Sequence, residues 1–183
     1  MTHQLDRWKG GFGNDYIERN RYDWEKRLDA FTDIIPDSVT SILEVGSNIG
    51  NNVNTLSELG FCTIGAEPNP VAVREALKQD RPTVQADASK LPFPDNSFDL
   101  VFTCGVLMHI PQYQQAMDEI WRVTKGYALA IEYMGEDQII PYHGFEDMLW
   151  KRPAYNYPGV EVKSGQLGRE FDFCFYQLFR KDA

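Results

Sequence analysis

Seven consecutive residues, Glu44-Val45-Gly46-Ser47-Asn48-Ile49-Gly50, place an acid, two glycines and an asparagine at the end of the strand-like run Ile42–Val45. A parallel α/β sheet needs such a turn where its first strand delivers a nucleotide-like ligand to the first helix. Gly46 and Gly50 let the backbone come close to that ligand, and Asn48 is one of the few other residue types that tolerates a left-handed backbone. Glu67 ends a second apolar run in Gly65-Ala66-Glu67-Pro68-Asn69-Pro70. A carboxylate at the carboxyl end of a strand can accept hydrogen bonds from both hydroxyls of a ribose, and it would equally suit the N-terminus of the next helix. Asp87, in Gln85-Ala86-Asp87-Ala88-Ser89, is a further acid after a short strand, where it also serves as an ordinary N-cap.

Chemistry on a second molecule needs other groups. His109 lies in Thr103-Cys104-Gly105-Val106-Leu107-Met108-His109-Ile110-Pro111, directly after a fourth apolar run. A neutral imidazole there can take a proton from a molecule in the crevice, or it can only order its own loop. Tyr133, Tyr142 and His143 follow a fifth run and offer hydrogen-bonding groups on rigid rings, expected to shape an acceptor pocket; the plainer reading is a surface connection.

These groups need elements to hold them. Strands are expected at Ser41–Val45, Phe61–Ala66, Thr83–Gln85, Phe98–Thr103 and Tyr127–Tyr133. Helices are expected at Asn51–Leu59 (Val53, Leu56 and Leu59 inward), Pro70–Lys78 and Tyr113–Val123. Ile17, Trp24, Leu28, Phe31 and Ile35 recur at helical spacing and predict one helix over Tyr16–Ile35, stopped by Pro36-Asp37. Ahead of it, Trp8-Lys9-Gly10-Gly11-Phe12-Gly13-Asn14-Asp15-Tyr16, with Arg19-Asn20-Arg21 beyond, reads as a lid or as an arm packed on the core. Alternating strands and helices predict a doubly wound, mostly parallel sheet with helices on both faces. Val160–Leu167 and Phe171–Phe179, joined through Gly168-Arg169 with no helix between, must pair antiparallel as a closing hairpin. One domain is expected over 1–183, with residues 1–35 as lid and first helix and 36–183 as the Rossmann-like core.

The net charge of −9 and the lack of a basic cluster disfavour nucleic acid as a partner. No apolar run approaches the ~20 residues that span a membrane. The polar start, Met1–Arg7, has no signal-peptide core. Cys62, Cys104 and Cys174 lack metal-ligand spacing and read as reduced core residues of a cytoplasmic protein, with no metal expected.

A dinucleotide fingerprint, G-x-G-x-x-G, would need glycines at 48 and 51, where asparagines stand. The frame that fits, acid-x-Gly-x-(Gly/Asn)-x-Gly, resembles motif I of the class I methyltransferases that use S-adenosylmethionine. Leu91-Pro92-Phe93-Pro94-Asp95-Asn96-Ser97-Phe98-Asp99-Leu100-Val101 resembles that family's signature before the fourth strand. The resemblance implies a seven-stranded sheet ending in an antiparallel hairpin, with S-adenosylmethionine as cofactor. It implies that Asp87 meets the adenine amino group and the Ala88 N–H a ring nitrogen. It further places Tyr16, Glu44, Gly46, Ser47, Asn48, Gly50, Glu67, Pro68 and Cys104 at the cofactor, and His109, Tyr133 and Tyr142 on the catalytic side.

The run W-x-G-x-F-G-x-x-Y-x-x-R-N from Trp8 to Asn20 narrows the likeness. With Leu43–Gly50, Ile140-Pro141-Tyr142-His143-Gly144, Lys151-Arg152 and Phe175–Lys181, it is similar to the pseudaminic-acid-biosynthesis-associated methylases. His143 departs from that pattern, which has Arg there, and the segment from Pro153 to Gly159 is short. The resemblance implies methylation, on O or N, of a small polar metabolite such as a sugar or nucleotide-sugar derivative. An NAD-dependent sugar-nucleotide oxidoreductase and a non-catalytic S-adenosylmethionine-binding module are the alternatives.

Overall fold

The computed structural model describes residues 3–20 and 27–182. Arg21 and Trp24, used in the sequence reading, lie outside the described residues. Nine strands are described: β1 (Ser41–Val45), β2 (Cys62–Glu67), β3 (Thr83–Gln85), β4 (Phe98–Cys104), β5 (Thr124–Glu132), β6 (Gln138–Tyr142), β7 (Phe145–Lys151), β8 (Val160–Gln166) and β9 (Phe175–Arg180). The described helices are α1 (His3–Lys9), α2 (Gly11–Arg19), α3 (Leu28–Ile34), α4 (Asn51–Glu58), α5 (Pro70–Lys78) and α6 (Tyr113–Val123).

Seven strands form one sheet in the order β3-β2-β1-β4-β5-β9-β8. The first five are parallel. β9 runs antiparallel between β5 and β8, as expected of a closing hairpin, but a 3₁₀ turn, Arg169–Phe171, stands between β8 and β9, so the last strand starts at Phe175 and not at the expected Phe171. Period-two alternation explains why both faces bury. Leu43, Val45, Val101, Ala128 and Ala130 point to one face, under Ala116, Met117, Ile120 and Val123 of α6. Ile42, Leu100, Phe102, Leu129 and Ile131 point to the other, against Phe31 and Ile34 of α3 and Leu56 of α4.

Four further expectations change. The single helix over Tyr16–Ile35 is not formed: α2 ends at Arg19, with Asn20 as its C-cap, and α3 starts at Leu28. The glycine-rich segment placed ahead of that helix is itself helical. Gly13 makes this possible, because a Cβ there would run into the Trp8 carbonyl. Leu59, expected inward, is exposed at the end of α4, where the helix stops before completing another inward turn. The three cysteines are free, but Cys62 is exposed at the first position of β2 and is no core residue. The stretch after β5 is more than a connection. β6 and β7 form a second, two-stranded sheet. His143 (φ 47°) and Gly144 (φ 83°) make its turn, a left-handed pair suited to a two-residue hairpin loop.

Candidate active site

The carboxyl ends of β1 to β5 open into one cavity of about 750 Å³, within the ~300–1,000 Å³ typical of small-molecule sites. Sheet order lays its walls out in sequence: Asp87 and Ala88 follow β3, Glu67 and Pro68 close β2, Glu44 to Asn48 surround the end of β1, Cys104 to Ile110 follow β4, and Tyr133 follows β5.

The turn after β1 is built as its residue types dictate. Gly46 has φ 79°, Asn48 φ 50° and Gly50 φ 74°, the left-handed region that glycine and asparagine tolerate. A Cβ on Gly46 would strike the Val106 side chain, so the turn after β1 and the loop after β4 meet only across a glycine. Gly50 does not line the cavity; it starts α4 from the N-cap.

Two buried carboxyls flank this turn. Glu67 accepts the Asn48 N–H at 2.9 Å and the Asn69 N–H at 2.8 Å. Burial pushes its pKa up to about 7, although the two amide bonds favour the ionised form. Glu44 accepts from Asn52 Nδ2 at 2.7 Å, and Asn52 Oδ1 in turn accepts from Arg27 Nη1 at 3.0 Å. Burial raises Glu44 to about 8. Glu44 Oε2 and Ser47 Oγ are buried polar atoms with no partner among the described residues, a costly condition that a ligand's donors would relieve. Asp87 Oδ1 accepts from both Ser89 N and Oγ at 2.9 Å, so the carboxylate does cap its own turn while it lines the cavity.

The opposite end is aromatic and assembled from distant segments. Trp8 of α1 lies against His109, centroids 4.9 Å apart, and against Tyr16, 5.2 Å apart. Tyr142 stands 5.1 Å from the His109 ring. His109 is buried, and its Nδ1 lies 2.5 Å from the Met148 carbonyl oxygen. A carbonyl only accepts, so Nδ1 carries the proton and Nε2 presents a lone pair. Burial pushes the imidazole down to about 4. His109 is therefore neutral across the ordinary pH range.

The described N-terminal helices cover this end. Gln4, Leu5, Trp8, Gly13 and Tyr16 line the cavity. Asn69 ties them down: it caps α5 through Oδ1 (Val71 N, 2.8 Å) and donates through Nδ2 to Trp8 O (3.0 Å) and Asn14 Oδ1 (3.1 Å).

Of the residues singled out from sequence, Tyr16, Glu44, Gly46, Ser47, Asn48, Glu67, Pro68, Asp87, Ala88, Cys104, His109, Tyr133 and Tyr142 all border the one cavity. His143, expected to shape the acceptor pocket, does not: it is exposed in the β6–β7 turn because a left-handed turn position faces away from the sheet it closes. Sequence reading missed Arg27, Asn52, Asn69, Glu132 and Arg152. Each is a polar residue with less than a tenth of its surface exposed, and its burial depends on long-range contacts that no local spacing announces.

Residues 43–131 match the model of the methyltransferase domain family. The fold is that of the class I methyltransferases, and the matched segment is just under half of the chain. The matched segment and this fold imply S-adenosylmethionine as the cofactor. The chain is 31% identical over 121 residues to a demethylmenaquinone methyltransferase of Corynebacterium urealyticum, covering 66% of this chain and 49% of that protein. It is 30% identical over 132 residues to a 2-methyl-6-phytyl-1,4-hydroquinone methyltransferase of a Synechocystis strain, covering 63% of this chain and 42% of that one. It thus spans about half, or less, of these curated relatives' length. The PH0226 protein from Pyrococcus horikoshii superposes with a TM-score of 0.70 at 15% identity, over 89% of this chain and 93% of that one, a likeness of fold. Among the described residues, no helix is long and apolar enough to cross a membrane.

The walls fit the cofactor. Unpaired Glu44 Oε2 and Ser47 Oγ, the Glu67 carboxyl and the Gly46 cradle suit a ligand that brings hydroxyl and ammonium donors close to backbone.

Proposed function

We propose that the whole chain transfers the methyl group of S-adenosylmethionine to a hydroxyl or amine of a small acceptor held beneath α1 and α2. In this reading Glu67 takes the ribose hydroxyls. Asp87 and the Ala88 N–H meet the adenine. Gly46 to Asn48, with Glu44, Pro68, Cys104 and Tyr16, enclose the rest of the cofactor, and Gly50 shapes the turn from outside. The sulfonium carbon is itself the electrophile, so the protein's part is to orient the acceptor, exclude water and receive a proton. His109 Nε2 receives it, while Tyr133 and Tyr142 orient the acceptor.

One observation carries this reading: a single cavity joins buried carboxyls at β1 and β2 to a neutral, proton-accepting imidazole after β4. The likeness to pseudaminic-acid-associated methylases favours a sugar derivative, and Gln4, Gln112 and Gln115 on the wall suit a hydroxylated molecule. An uncharged acceptor is favoured over a nucleotide sugar. Among the described residues, the wall formed by α1, the loop after β4 and the β6–β7 hairpin contributes no lysine or arginine for phosphates. A second reading, a neutral ring such as a quinol, draws on Leu5, Trp8, Met108, Ile110 and Leu149 in the same wall and on the relatives' names. Release of S-adenosylhomocysteine with neutral sugars, nucleotide sugars, quinols, RNA and protein extracts separates them. Transfer to RNA or protein alone would overturn the acceptor class; binding without transfer to any acceptor would leave a cofactor-binding module.

A further inference from the structure

The loop between β4 and α6 supplies Met108, His109, Ile110 and Pro111 to the cavity wall, yet it holds only a single short 3₁₀ turn, Leu107–His109. A loop of that kind needs partners for its peptide groups. Two buried side chains provide them, a carboxyl and a guanidinium. Glu132, wholly buried at the end of β5, accepts the N–H groups of Val106 (3.1 Å), Leu107 (3.1 Å) and Met108 (3.2 Å). Arg152, next after β7, donates to the carbonyls of Leu107 (2.9 Å), Ile110 (2.8 Å) and Pro111 (3.3 Å). Its guanidinium lies 4.1 Å from the centroid of Tyr113, the first residue of α6. The remaining amides are also matched: Gly105 donates to Ile131 O, His109 to Val106 O and Ile110 to Leu107 O.

No ion pair joins Glu132 and Arg152 among the described residues; each turns its polar atoms to the loop, Arg152 also reaching the Tyr155 hydroxyl at 3.4 Å. Burying a carboxylate and a guanidinium is expensive, and apolar side chains would fill the same space. The arrangement makes sense if the loop must hold one geometry. The ring at its centre is pinned by the same hairpin, since β7 supplies both the Met148 carbonyl that holds His109 Nδ1 and the strand that leads into Arg152.

We propose that Glu132 and Arg152 are the positioning residues of the acceptor wall, gripping the 105–111 loop by its N–H and C=O groups and so fixing the direction of His109 Nε2. The consequence for turnover rests on the methyl-transfer reading; the effect on the ring does not.

The chain has three histidines, so ¹⁵N-histidine NMR of the full chain bound to S-adenosylhomocysteine can follow His109 alone. Wild type should show a single Nδ1–H tautomer. Arg152→Met should mix the tautomers while cofactor affinity stays within about threefold, and Arg152→Lys should recover part of the wild-type signal, as a point charge can still meet a carbonyl. With a pool of cell metabolites, Arg152→Met should lower the rate of S-adenosylhomocysteine release by about tenfold or more. A folded, cofactor-binding Arg152→Met with an unchanged His109 tautomer overturns the proposal. So does fast amide hydrogen exchange at Val106, Leu107 and Met108 in the wild type, a result that needs no variant to fold. A shifted tautomer with no methylated product from any pool would sink the methyl-transfer reading and leave the positioning role standing.

Discussion

The two ends of the cavity are built in different ways. The end proposed for the cofactor comes from short runs at the tips of adjacent parallel strands, Glu44–Gly50, Glu67–Asn69 and Asp87–Ser89, with Glu67 accepting from Asn48 of the neighbouring run and Asn69 of its own. The acceptor end is gathered from α1, α2, the loop after β4 and the β6–β7 hairpin, with rings as its material. Local turn geometry suffices to bind a constant ligand, whereas a variable one is met by parts that can change without disturbing the sheet.

If the two ends act separately, substitutions should divide cleanly between them. The largest effect belongs to the acceptor end. His109→Ala should lower turnover about 10²-fold or more while cofactor affinity stays nearly intact. Because the ring is neutral down to about pH 4, the wild-type rate should show no rise through pH 6–7 from this group. Normal turnover in the variant would reduce His109 to loop packing.

Next is the cofactor end. Glu67→Gln keeps the size but loses the charge that strengthens bonds to hydroxyls, a loss of about 1.5–3 kcal/mol in cofactor binding. Calorimetry checks it; unchanged affinity in a folded variant would leave Glu67 only its bonds to Asn48 and Asn69. Asp87→Ala should cost about 0.5–1.5 kcal/mol. Adenosine- and inosine-type analogues that bind the wild type equally would remove Asp87 from adenine recognition.

A smaller, opposed pair of effects appears in the ligand-free protein's stability. Glu44 and Glu67 have folded pKa values raised from 4.5 to about 8 and about 7. The stability they contribute is full below 4.5 and lost as pH rises through those values. His109, lowered from 6.5 to about 4, contributes stability that is full above 6.5 and lost as pH falls through 4. With two groups losing stability above pH 4.5 and one gaining it, these three alone should put the peak melting temperature at about pH 4–4.5, falling toward pH 8, and Glu44→Gln should flatten the alkaline side. A melting temperature that climbs from pH 6 to 8 would contradict the burial of these carboxyls. The smallest effect is expected at His143→Arg, exposed in its turn, which should change neither binding nor acceptor preference by more than about twofold.

The same contrast governs how much could be read from the sequence. The Gly46–Gly50 turn and the placement of Glu67 and Asp87 on one cavity were legible because each sits in a short run at a strand end, and the left-handed conformation of Asn48 followed from its type. The mostly parallel sheet and its antiparallel closure followed from where helices do and do not intervene. The β6–β7 hairpin was hidden because Ile139, Ile140 and Tyr142 pair with partners in a sheet of only two strands, and the His143–Gly144 turn lacks the usual Asn-Gly signal. Glu132 and Arg152 were hidden because each acts on peptide groups at least 24 positions away along the chain. The N-terminal segment misled through periodicity: Ile17, Leu28 and Phe31 are apolar at helical spacing, but Ile17 belongs to a different helix from Leu28 and Phe31.

The most direct test of the divided site is one calorimetric series on the full chain, titrating wild type, Glu67→Gln and His109→Ala with S-adenosylhomocysteine and wild type with NAD. The account predicts tight binding of S-adenosylhomocysteine by wild type and His109→Ala, weakening by about 1.5–3 kcal/mol in Glu67→Gln, and no comparable binding of NAD. Tight NAD binding without S-adenosylhomocysteine binding, or an affinity lost in His109→Ala and kept in Glu67→Gln, would contradict it.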